Sequence, residues 1–217
     1  MKAVLFDLDN TLYDAKQYFE GAFRSISKYL SEKYLLCEKM LYDQLMKLWE
    51  KKTSMYPRLF DDFLNLINLD LTEVKNLIEI FNGYCGKLKP YDDVIPTLKE
   101  LKKMGYKLGI ITDGNPTRQK RKIKLLGLEG FFDTIVFTKY ISPKPSPLPY
   151  MEALNRLNII PSNAYYVGDN PMMDFKGAKE VGITTIRILR GEFIDVPRNE
   201  YIDIEIKNMV RLLQIIR

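Results

Sequence analysis

The hydrophobic pattern of the chain changes character twice. Ala3–Phe6 is a short unbroken apolar run that stops at Asp7. Such a run reads as a strand buried on both faces, as in a parallel sheet. From about Ala15 to Gly86 the apolar residues recur at helical spacing, with breaks near Glu38, Pro57 and Leu71. That stretch carries Phe19, Phe23, Tyr34, Tyr42, Trp49, Phe60, Phe63 and Phe81, and it predicts an antiparallel bundle of about four helices. After Pro90 short apolar runs alternate with amphipathic ones. Helices are expected over Val94–Met104, Pro116–Leu126, Leu148–Leu157 and Pro171–Val181, three of them followed by a capping glycine (Gly105, Gly127, Gly182). Strands are expected over Tyr106–Ile111, Thr134–Thr138, Ala164–Val167 and Ile183–Ile188, and a last helix over Lys207–Ile216. This alternation predicts an α/β fold: a parallel, Rossmann-like sheet covered by helices on both faces. The expected division is an α/β core of residues 1–14 and 88–217, with a four-helix-bundle-like domain of residues 15–87 inserted after the first strand.

Composition narrows the chemistry. The 217 residues contain no histidine. Ser-His and Cys-His nucleophile pairs and histidine metal ligands are therefore excluded, and acid–base work near neutral pH falls to carboxylates, Lys, Tyr, Cys or a metal-bound water. Two cysteines, Cys37 and Cys85, make neither a disulfide scaffold nor a zinc spacing. They read as buried free thiols, with a bond between them as the alternative. No run approaches the roughly 20 apolar residues of a membrane span, and Met1–Asp7 turns acidic too early for a secretory signal. A cytoplasmic location and no membrane partner are expected. The net charge of +5 is spread among interleaved acids, so it reads as a mixed solvated surface and not as a nucleic-acid footprint. Arg118, Lys120, Arg121, Lys122 and Lys124 crowd one predicted helix. They read as its solvated face, with steering of anionic substrates as the functional alternative.

In open parallel sheets ligands bind beyond the carboxyl ends of the strands. The polar residues that follow the strands are Asp7-Leu8-Asp9-Asn10-Thr11, Thr112-Asp113-Gly114-Asn115, Ser142-Pro143-Lys144-Pro145 and Gly168-Asp169 with Asp174. Four strand ends thus direct several carboxylates, a hydroxyl and a lysine to one place. Clustered carboxylates repel, and a hard divalent cation with oxygen ligands, Mg2+ above all, is the usual remedy. There is no P-loop and no GxGxxG after the first strand, so phosphate has to be held another way. Asn115 is placed as an N-cap and Pro116 as the first helical residue. The helix would aim its positive end, and the N–H groups near Asp113 and Gly114, at an anion.

Asp-x-Asp-x-Thr after the first strand, a Thr after the second, a Lys in the third loop and Gly-Asp-x-x-x-x-Asp after the fourth resemble, in order, the four motifs of the haloacid dehalogenase superfamily. The resemblance covers the whole chain, and the helical insertion is similar to that superfamily's helical cap. It implies a magnesium-dependent phosphatase of small phosphorylated metabolites, working through an aspartyl-phosphate. Asp7 would be the nucleophile and Asp9 the general acid, then base. Mg2+ would lie among Asp7, the Asp9 carbonyl and Asp169. Thr112 and Lys144 would stabilise the transferring oxygens, and Thr11, Asp113, Gly114 and Asn115 would complete substrate binding. Asp174 would bind the metal directly, bind it through water, or pair with Lys144. Family dehalogenases lack the second acid, so Asp9 points to phosphoryl chemistry. Glyceraldehyde-phosphate, phosphoglycolate and nucleotide substrates are the candidates, with the first and last leading. A phosphotransferase on the same core, or a non-catalytic binding protein, is the alternative. The helical insertion would close over the site and exclude water. Tyr13, Asp14, Gln17 and Tyr18, with Arg187 and Arg190, are further candidates for contacting substrate.

Overall fold

A computed structural model describes residues 1–216, so Arg217, the last residue of the expected core, lies outside the described residues. Six strands form one sheet: β1 (Ala3–Phe6), β2 (Lys107–Thr112), β3 (Thr134–Phe137), β4 (Ala164–Gly168), β5 (Thr184–Ile188) and β6 (Ile204–Ile206). All pairings are parallel, in the order β3-β2-β1-β4-β5-β6. The order runs outward in opposite directions from β1 and β4, so the switch point lies between them. β1 is wholly buried, which is why its sequence is continuously apolar and not alternating. Its neighbour is packed tightly: a Cβ at Gly109 would come within 2.7 Å of Leu5 Cδ2.

Helices α5 (Val94–Lys103), α6 (Pro116–Leu125), α7 (Leu148–Leu157), α8 (Lys176–Val181) and α9 (Leu212–Ile215) accompany the sheet. One face of the sheet packs Ala3, Leu5, Ile111, Val136 and Tyr166 against Tyr150, Leu154, Phe175 and Ala178 around α7 and α8. The chain divides into two units, Met1–Ala15 with Lys87–Arg217, and Lys16–Gly86. The second unit is helical. Its elements are α1 (Lys16–Tyr34), α2 (Glu38–Lys52), α3 (Leu59–Leu66) and α4 (Val74–Gly83), with α1 packed on α2 and α4. Phe19 stacks on Trp49 with centroids 4.8 Å apart, and Phe23, Phe60 and Phe81 join them edge-on or tilted. Among the described residues no helix is long and apolar enough to cross a membrane.

Three expectations are corrected. The helix expected from Pro171 starts at Lys176. The preceding residues instead curl back, because Asn170's carbonyl accepts from Met173 and Asp174 while the Asp174 carboxylate accepts from the Asp169 and Asn170 N–H groups. The chain also adds the edge strand β6, and its final helix shortens to a 3₁₀ turn at Met209–Arg211 followed by α9. Cys37 and Cys85 are free but exposed, not buried.

Candidate active site

Asp7 is the first residue past β1, and its N–H donates to Val167 O across the switch point, at 2.9 Å. This places it beside Asp169, the first residue past β4. Asp174 reaches the same point because Gly168 has no side chain: a Cβ there would lie 2.5 Å from Asp174 Oδ2. Carboxylate oxygens of Asp7, Asp169 and Asp174 all lie within 4.8 Å of one another, and all three residues are buried.

Lys144 binds this cluster together. Its ammonium donates to Asp7 Oδ1 at 2.6 Å and to Asp174 Oδ1 at 2.7 Å, and lies 3.6 Å from Asp113 Oδ2. The loop carrying it is pinned at both sides. Asp113 Oδ1 accepts from the Lys144 N–H at 3.2 Å and from Thr138 Oγ1 at 2.5 Å. On the other side α8 approaches so closely that a Cβ at Gly177 would sit 2.3 Å from Pro145 O. Tyr166 donates to Asp174 Oδ1 at 2.9 Å, and Tyr150 to the Asp174 carbonyl at 2.6 Å. Neither tyrosine was expected from the sequence.

Asp9 belongs to a second network. Its Oδ1 accepts from Tyr13 at 2.5 Å and from the Lys122 ammonium at 2.7 Å, and its Oδ2 accepts from Gln119 at 2.7 Å. Gln119 also donates to Thr112 Oγ1 at 2.7 Å. Lys122 is therefore not part of a solvated face: it is only 3% exposed. Gln119, Lys122, Ile123 and Leu126 are all buried, at the i, i+3, i+4, i+7 spacing of a core-facing stripe. In the sequence this stripe is masked by the neighbouring charges Arg118, Lys120, Arg121 and Lys124.

Other expected residues hold protein groups. Thr11 Oγ1 donates to Asp169 Oδ1 at 3.2 Å. Asn115 caps α6 by accepting from the Arg118 N–H at 3.1 Å, and Gly114 next to it has φ +102°, a backbone open to glycine. Tyr18 donates to Phe81 O within the helical unit. Arg187 is buried between Glu205 and the Phe193 carbonyl. Arg190 pairs with Asp93 and donates to the Thr11 carbonyl. Both arginines thus bind protein and not an open site.

The electrostatics separate the two first-motif acids. Burial pushes Asp7 up to about 8; the Lys144 ammonium opposes the rise, and Asp174 adds to it. Burial, with Asp174 and Asp7 nearby, likewise lifts Asp169 well above the usual carboxylate range. For Asp9 burial also acts upward, but the Lys122 charge and the three donors outweigh it and hold the carboxyl at about 2. Lys144 is lowered by burial, yet Asp174, Asp7 and Asp113 overcome this and raise it well above an ordinary lysine. The Asp7–Asp169 group is thus short of positive charge. Asp169 Oδ2 is buried with no hydrogen-bond partner among the described residues, and an all-oxygen donor set with an orphaned carboxylate oxygen suits a hard divalent cation. Asp174 differs, because both its oxygens already accept from Lys144, Tyr166 and two backbone N–H groups.

Residues 4–188 match the haloacid dehalogenase-like hydrolase family. The chain is 39% identical, over all of its length and 97% of the relative's, to a glyceraldehyde 3-phosphate phosphatase of Methanopyrus kandleri. It is 34% identical, with the same coverage, to a protein of the same name from Methanocaldococcus jannaschii. Among solved structures, an HAD phosphatase from Thermococcus onnurineus matches with a TM-score of 0.70 and 31% identity, over 99% of this chain and 97% of that one.

Proposed function

The chain belongs to the haloacid dehalogenase-like hydrolase family, and we propose that within it the protein is a magnesium-dependent phosphatase of small phosphorylated metabolites, with glyceraldehyde 3-phosphate as the leading substrate. The reading is carried by the convergence of Asp7, Asp169 and Asp174 around Lys144, with a second acid, Asp9, held apart by its own donors. The names of the archaeal relatives support the substrate. In this reading residues 15–87 form the cap, and residues 1–14 with 88–217 the catalytic core.

Asp7 and Asp169, with a carbonyl of Asp9, would hold Mg2+. The bound ion would supply Lewis-acid screening of the repulsion between a carboxylate and a phosphate dianion. Asp174 serves in this scheme by aiming Lys144 and the Asp169 backbone. An Asp7 oxygen bonds to phosphorus as the bond from phosphorus to the leaving oxygen breaks, giving an aspartyl-phosphate. The leaving oxygen takes its proton from Asp9. A water oxygen then bonds to phosphorus, the bond to Asp7 breaks, and the water's proton passes to Asp9. The donors around Asp9 hold the ionised form that this second half needs. An incoming phosphate dianion adds like charge and favours the protonated form that the first half needs. Thr112, Lys144 and the N–H groups at the start of α6 face the charge developing on the transferring oxygens.

Purified protein with Mg2+ should release inorganic phosphate faster from glyceraldehyde 3-phosphate than from 2-phosphoglycolate or a nucleoside monophosphate. A different preferred ester would replace the substrate; no phosphate from any ester would overturn the reading.

A further inference from the structure

The buried lysine on α6 has so far entered only as a charge that keeps Asp9 ionised. Burying an ammonium is costly, and a buried ion pair is a weak source of stability. Lys122 nevertheless lies 3% exposed on the core-facing stripe of α6, 2.7 Å from Asp9 Oδ1. One helical turn earlier Gln119 is fully buried and bridges Asp9 Oδ2 to Thr112 Oγ1, at 2.7 Å each. Tyr13, fully buried, closes the third side through its hydroxyl. A carboxylate with donors on both oxygens from three directions has one orientation, where an exposed aspartate has several rotamers. The loop after β1 and the inward face of α6 are therefore locked together through the Asp9 carboxyl. The same helix starts at Asn115, which caps it, and Pro116, its first helical residue.

We infer that Lys122, Gln119 and Tyr13 are positioning residues that fix the Asp9 carboxyl at the leaving-group oxygen, and that Gln119 sets it in register with the Thr112 hydroxyl. The inference rests on the phosphatase reading and deepens it. α6 is then a ruler with the phosphate at its N-terminus and the proton-transfer group on its inner face. A misplaced acid matters most where the leaving oxygen is basic, because a poor leaving group needs its proton in the transition state and a good one departs without it.

The test compares kcat/KM, which for both esters reports steps up to aspartyl-phosphate formation, on glyceraldehyde 3-phosphate and on p-nitrophenyl phosphate. Lys122→Met should lower it roughly 100-fold on the alkyl ester and less than roughly 10-fold on the nitrophenyl ester. Asp9→Asn should show the same asymmetry, and adding Lys122→Met to it should cost little more, since the two act as one unit. Tyr13→Phe, which keeps the buried ring, should show a smaller loss of the same kind, and it decides the matter if the Lys122 variant does not fold. Equal losses on both esters would mean a merely structural role and overturn the inference. So would a double variant that loses the product of the two single effects. Both results leave the phosphatase reading standing, whereas wild-type protein that hydrolyses neither ester removes both.

Discussion

In the helical unit the buried side chains are aromatic and aliphatic, joined among the described residues by Ser27 and Glu73. In the α/β unit Asp7, Lys122, Lys144, Asp169, Asp174 and Arg187 are buried alongside the aliphatic core. The first is a core assembled for stability, from rings such as Phe23, Trp49 and Phe81 in edge and tilted contact. The second carries desolvated ions that cost free energy even when paired. Groups whose burial is unfavourable and whose partners converge at strand ends mark where the molecule trades stability for chemistry. The two units should therefore respond to mutation in opposite ways.

The largest effect that separates them is Asp7→Asn. Losing the proposed nucleophile should lower phosphate release by at least roughly 10⁴-fold. The unfolding temperature should hold or rise, because a carboxylate facing Asp169 and Asp174 is removed while Lys144 keeps Asp174. A variant that keeps its turnover, or that melts well below wild type, breaks the contrast. The mirror experiment is Phe23→Ala. It empties a fully buried ring site in the helical unit and should cost about 3–5 kcal/mol in denaturant unfolding; a cost below about 1 kcal/mol would mean that the aromatic cluster does not stabilise this unit.

Metal and pH sharpen the comparison next. Without metal, Asp7 is raised from 3.8 to about 8 in the folded state. The folded protein then binds the proton more tightly than the unfolded chain does, so this group removes stability as pH climbs from about 4 to about 8. Mg2+ needs the ionised form. The stabilisation by added Mg2+ should therefore grow across that window, reaching about 2.7 kcal/mol at a hundredfold excess over Kd. Thermal unfolding with Mg2+ and with EDTA, at several pH values, reads this out, and a shift that shrinks with pH would contradict the ligand assignment.

The smallest effect belongs to Glu73, the buried charge of the helical unit among the described residues. Glu73 accepts from Lys33, Tyr29, Tyr34 and Asn76. Lys33 and Asn76 lead in holding its pKa at about 2, below the ordinary 4.5. A depressed acid gives stability that is present above 4.5 and is lost as pH falls towards 2. Glu73→Gln should cost about 1–2 kcal/mol at neutral pH and flatten that acid limb; an unchanged acid limb would show that Glu73 makes no such contribution.

How much could be read in advance differs from residue to residue, for physical reasons. β1 and α7 were legible because a continuous apolar run and a helical period each report burial directly. The start of α8 was not. Pro171 suits a first helical turn, but the turn is diverted by the carboxylate of Asp174, a contact made through space. β6 spans three residues, too short for a period to register, and exists because β5 offers it an edge. Asp7, Asp9, Thr112, Lys144, Asp169 and Asp174 were visible as strand-end residues. Lys122 and Gln119 were hidden among the charges of a basic helix, and Tyr150 and Tyr166 among the apolar residues of a core helix and strand.

The residues that carry charge, and the strand ends on which they sit, are properties of the chain itself. Hydrophobic periodicity sets the elements, and parallel strands send their carboxyl ends to one edge. Which cation meets which carboxylate was decided only in three dimensions. Lys144 went to Asp7 and Asp174, and Lys122 to Asp9, because ion pairing acts over a few ångströms between groups 30 to 137 residues apart in the chain.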